Sequence, residues 1–112
     1  MRIEFAREGG IAYIPALAAP VTIDTATLAP EQARALEALV EHASFFTLPE
    51  QVGERPRGAA DMYTYTITVH DQGRSHTIHV ADAGELPGVA ALVRACQQQA
   101  KEIKRRLADE RS

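Results

Sequence analysis

Cysteine is nearly absent: the 112 residues hold a single one, Cys96. One thiol cannot close an internal disulfide or build a zinc site alone, so a cytoplasmic or otherwise reducing location is the expectation. Val93 and Ala100 flank it at helical spacing, which reads as a buried small hydrophobe rather than a nucleophile. Long apolar runs are missing as well. No stretch approaches the roughly 18 apolar residues of a membrane span, and Met1 to Phe5 open without the apolar core of an ordinary signal peptide. Positive charge is not in excess. Twelve Lys and Arg against 15 Asp and Glu give a formal −3, which argues against nucleic acid or an anionic membrane as the main partner. The basic cluster Lys101, Lys104, Arg105 and Arg106 lies where cations complement the negative end of a helix dipole, and a solvated helix end explains it. No internal repeat is visible.

Catalytic sets are also lacking. His76 and His79 fall on opposite faces of one strand, and His42 stands alone on a helix. His70 and His79 share a face but lie more than one cross-strand step apart. No metal site is expected, and the histidines read as polar surface residues. Ser44 precedes two phenylalanines at a helix end and Ser75 lies within a strand, neither of which is a nucleophile elbow. Gly9-Gly10 lacks the later glycine and the lysine of a phosphate loop. Asp109 and Glu110 are tail carboxylates. The chain reads as a non-enzyme without a cofactor, and such a protein works by binding another macromolecule.

What is present is an ordinary globular composition, 46% hydrophobic and 24% charged, long enough for one domain over 1–112 with a single core. Tyr63, Tyr65, Ile67 and Val69 alternate with Thr64, Thr66, Thr68 and His70, the period of a half-buried strand. After Gln72-Gly73 the alternation resumes with His76, Ile78 and Val80. A two-residue turn closed by Asp71 and Arg74, with Gly73 at positive φ, sets Tyr65 against Val80, Ile67 against Ile78 and Val69 against His76. Ile3 and Phe5 predict a short strand facing the same core, and Val21 to Ile23 another. Between them, Ile11 to Ile14 can return as a strand or as an extended loop. Pro30 and Glu31 open a helix that carries Leu36, Leu39, Val40 and Ala43 and ends near Phe45-Phe46. Phe45, Phe46 and Leu48 are expected to cap the core, and Pro49 forbids continuation. Glu50 to Ala60 is the least structured part. A second helix starts around Glu85 to Pro87 and bears a stripe of Leu86, Val89, Ala90, Val93, Cys96, Ala100, Ile103 and Leu107, its last turns overhanging the domain after 104. The fold class is α+β: an antiparallel sheet of about four strands with two helices packed on one face.

Met1 to Ala12, the helix start Leu28 to Glu31, the segment Phe45-Phe46 with Leu48-Pro49, Gly58 to Asp61, Tyr65 to Val69 and the turn Asp71 to Arg74 together resemble the emfourin family, in order over residues 1–95. The resemblance implies a small bacterial intracellular inhibitor of thermolysin-like zinc metallopeptidases, blocking the cleft by tight binding as a monomer without catalytic residues of its own.

A cleft with zinc at its floor beside an apolar pocket asks for a protruding extended segment with a bulky apolar side chain. Glu8, Gly9, Gly10, Ile11, Ala12 and Tyr13 fit best, since glycine lets the backbone come close and Ile11 or Tyr13 supplies an anchor. An ordinary hairpin turn with Ile11 in the core competes with that reading. The loop Gln51 to Ala60, with Arg55 and Arg57, is second, against a plain mobile linker. The face bearing Thr64, Thr66, Thr68, Thr77 and His79 is third, against simple strand-forming threonines. Asp61 reads as a turn former rather than a zinc contact. The alternative function is a non-catalytic adaptor domain that uses the long C-terminal helix, as a dimer, or the exposed sheet face.

Overall fold

The computed structural model describes residues 1–9, 20–53, 63–81 and 86–111. Along them run β1 (Arg2–Gly9), β2 (Val21–Asp24), α1 (Pro30–His42), β3 (Gln51–Val52), β4 (Tyr63–Asp71), β5 (Arg74–Val80) and α2 (Pro87–Arg111). The alternating stretch forms the expected hairpin in the expected register. Tyr65 pairs with Val80, Ile67 with Ile78, Val69 with His76 and Asp71 with Arg74. Both turn residues lie in the left-handed region, Gln72 at φ 50° and Gly73 at φ 77°. That combination matches the twist of the flanking strands.

Strand β1 pairs antiparallel with β4 on one side and β2 on the other, placing Ile3 beside both Val69 and Ile23 and Phe5 beside Ile67 and Val21. All six of these side chains are buried on one face. Thr25, after β2, donates from its amide and its hydroxyl to the Met1 carbonyl, each at 3.0 Å. The fold is α+β as expected, with a minor difference from the expected sheet of about four antiparallel strands. Among the described residues the sheet has five strands, in the order β2-β1-β4-β5-β3, and is mixed, because β3 runs parallel to β5. The His79 amide donates to Glu50 O at 2.6 Å and the Ala81 amide to Val52 O at 2.9 Å. Two residues are too few to show an alternation, so this part of the presumed loop Glu50 to Ala60 gave no strand signal.

Pro30 stands in the first turn of α1, where its missing N–H costs nothing, and Glu31 faces the positive helix end. The helix ends at His42, earlier than the expected Phe45-Phe46. Ser44 takes up φ 51°, ψ 46°, a left-handed residue that stops the helix and drives Phe45 into the core at the head of a 3-10 turn, Phe45–Thr47. Helix α1 thus carries the chain from the β2 edge of the sheet to the β3 edge. Helix α2 lies beside α1 and β2. A Cβ on Gly88 would come within 3.2 Å of Ala43 Cα and 3.3 Å of His42 O, so the two helices meet backbone to backbone there.

The buried stripe of α2 is Val89, Leu92, Val93, Cys96 and Ala100. Leu92 was absent from the expected stripe, although it lies three residues after Val89 and four before Cys96, as a core position should. Leu86, expected in the stripe, is 42% exposed ahead of the helix. Ile103 packs against the core and Leu107 is 50% exposed. Both helices cover the face that bears Ile3, Phe5, Ile67 and Ile78; each such side chain contributes about 1.5–3 kcal/mol on leaving water. No helix among the described residues is long and apolar enough to cross a membrane.

Candidate functional site

The pairing registers gather the chain's open ends at one end of the sheet. Gly9 lies opposite Tyr63, Tyr65 opposite Val80, and Val52 beside Val80. The end of β1, the start of β4 and the ends of β3 and β5 therefore share one rim, and β2 starts near it, with Val21 opposite Phe5. The hairpin turn Gln72-Gly73 and the start of β1 mark the opposite end, where Arg2 pairs with His70. Of the expected site residues, Glu8 and Gly9 are the last two of β1, paired with Thr64 and Tyr63. Gly10, Ile11, Ala12, Tyr13, Arg55, Arg57 and Asp61 lie outside the described residues. What the structure supplies is the anchoring of both candidate segments. One departs from Gly9, the other from Gly53, from strands hydrogen-bonded into the same sheet.

The base of the second segment is fixed by a cluster that sequence reasoning missed. His76 was expected among surface histidines. Instead its Nε2 donates to Leu48 O at 2.7 Å and its ring meets Phe45 edge-on, centroids 5.6 Å apart. Phe46 packs edge-on against Phe45 at 5.7 Å, and the Arg74 guanidinium sits 4.2 Å over the Phe46 ring. A half-buried ring with a polar edge needs a partner on its inner side, and the Leu48 carbonyl is the one it finds. The signal was there in the alternation, which puts His76 on the core side with Ile78 and Val80.

The third candidate surface, the sheet face without helices, is laced internally. Thr68 and Thr77, opposite each other, share a hydrogen bond at 2.8 Å, and Thr66 bonds His79 Nδ1 at 3.0 Å. On the same face His70 Nε2 stands 3.6 Å from Glu4. His79 pairs with Thr66 and His70 with Ser75, so the two histidines are well separated along the hairpin. Among the described residues no three His, Cys, Asp or Glu side chains gather as a metal site would require. Cys96 is buried, and desolvation pushes its thiol from 9.0 up to about 12, the reverse of what a nucleophile needs.

The described residues thus form a helix-backed sheet from one rim of which both candidate segments depart. The profile of the emfourin family matches residues 5–97, and the chain belongs to that family, whose members are inhibitors and not enzymes. A solved structure, emfourin (M4in) from Serratia proteamaculans, described as an M4 family peptidase inhibitor, is 25% identical over 84% of this chain and 86% of that one, with a TM-score of 0.43. No curated protein matches.

Proposed function

We propose that the chain inhibits a thermolysin-like zinc metallopeptidase by binding tightly across its active-site cleft. The observation that carries this reading is family membership over residues 5–97, a span that includes both candidate segments. The fold is consistent with it. The strands from which both segments depart, ending at Gly9 and Val52, are hydrogen-bonded into one sheet, so the roots of the segments are fixed before binding. In this reading Ile11 or Tyr13 fills the apolar pocket, the backbone around Gly9-Gly10 approaches the metal, and Arg55 or Arg57 meets acidic groups on the enzyme. The inhibitor acts as a monomer, without a cofactor, in the cytoplasm.

The test is a titration of the purified chain against a thermolysin-like peptidase and an unrelated metallopeptidase. Activity of the first is expected to fall to near zero at about one equivalent, as tight binding demands, while the second is unaffected. Digestion of the chain with the enzyme fully active overturns the proposal. Ile11→Asp is expected to weaken inhibition by about 30-fold or more, the loss of an apolar anchor worth about 2 kcal/mol, with thermal unfolding unchanged. Equal inhibition by the variant removes the first segment and leaves the second.

A further inference from the structure

We infer that the recess between the sheet and the second half of α2 binds a carboxylate carried on a compact apolar body. The recess measures about 370 Å³, a size suited to small molecules. Its floor is formed by Phe5, Val21 and Ala100, all nearly buried. The Phe5 and Tyr65 rings stack 5.6 Å apart with 14° between their planes, giving one wall an aromatic surface.

The polar groups around that floor share one character. Gln97 Nε2 donates to the Tyr65 hydroxyl oxygen at 2.8 Å, so the phenol accepts there and keeps its own hydrogen to donate. Among the described residues that line the recess, the charged side chains are Arg7, Lys101 and Lys104, all cations. This is the opposite bias from a chain whose 15 acids outnumber its 12 bases. An apolar body would leave water against Phe5, Val21 and Ala100, while a carboxylate at the rim would accept charge-assisted hydrogen bonds. A bare inorganic anion fits worse, because it would shed hydration against apolar side chains with nothing to replace it there. An organic cation would meet like charge at Lys101.

Such a ligand has two sources, a free organic acid or the C-terminal residue of a peptide with an apolar side chain. The site does not depend on the inhibitor reading, and its test needs no peptidase. The isotope-labelled full chain is titrated by two-dimensional NMR with phenylbutyrate, phenylbutyramide, inorganic phosphate, and a short peptide ending in phenylalanine with its terminus free or amidated. Phenylbutyrate is expected to shift the amides of Tyr65, Gln97, Ala100 and Lys101 saturably, at least about tenfold more tightly than the amide or phosphate, as a charge-assisted contact implies. Lys101→Glu, at an exposed position, is expected to weaken that binding by about tenfold with the rest of the spectrum unchanged. If the free-terminus peptide binds as well, the source is a chain end; if only phenylbutyrate binds, it is a free acid; both support the site. Shifts elsewhere, equal binding of acid and amide, or no effect of Lys101→Glu overturns it.

Discussion

At the scale of single residues, Cys96 shows how burial decides chemistry. The side chain is fully enclosed by the core, and desolvation carries its thiol from 9.0 to about 12. The folded state therefore holds the thiol proton more tightly than the unfolded chain does. The stability linked to this group is complete below pH 9.0 and is lost as the pH climbs toward about 12. At pH 8 the native protein is expected to resist iodoacetamide for hours, whereas the same protein in urea is alkylated within minutes, since only the exposed thiolate reacts. Mass spectrometry across a urea series reads this directly. Rapid alkylation without denaturant would place the thiol in an open site. His76 carries the complementary lesson, that a polar side chain on the core face survives by finding a carbonyl, here Leu48 O.

At the scale of elements, the β4-β5 hairpin fixes the register on which every other strand depends. Its turn needs two left-handed residues, and only one of them is glycine. A Cβ on Gly73 would touch nothing within 4 Å, so Gly73→Ala changes the backbone cost alone and is expected to destabilise by about 1 kcal/mol. Gln72→Asn is expected to act in the opposite direction by a few tenths of a kcal/mol, since asparagine tolerates that conformation better. Urea midpoints at constant m-value measure both; the same sign for the two would reject this view of the turn. The hairpin was legible because Tyr65, Ile67, Val69, Ile78 and Val80 each repeat the same two-residue period. Strand β3 was not, because Gln51 and Val52 are strand only through the backbone of β5, a contact made after α1 has crossed the sheet. The end of α1 escaped for a similar reason. Nothing in Ala43 or Ser44 announces a left-handed turn, and the pull that creates it is the burial of Phe45. Of the candidate site, the sequence showed the two segments and their glycines, but their convergence on one rim follows from strand order, which local patterns do not encode.

At the scale of the whole molecule, α2 outlasts the core it serves. The buried stripe ends at Ala100, Ile103 packs at the margin, and residues 105–109 are exposed, Leu107 among them at 50%. Exposed final turns contribute mainly their own weak helix propensity. Ending the chain after Lys104 is therefore expected to lower stability by less than about 1 kcal/mol, whereas Leu92→Ala, which empties a fully enclosed site, is expected to cost about 2–5 kcal/mol. Denaturant unfolding of the two variants against the full chain makes the comparison. The same truncation separates the two readings of function. An inhibitor that works from the rim at Gly9 and Gly53 keeps its inhibition without residues 105–112, because Ala100 and Ile103, through which the end of α2 joins the core behind the sheet, are both retained. An adaptor that docks through the helix end loses its partner or its dimer, seen as a drop in mass by light scattering at matched concentration. Lost inhibition with an unchanged urea midpoint would move the inhibitory surface from the sheet rim to the end of α2.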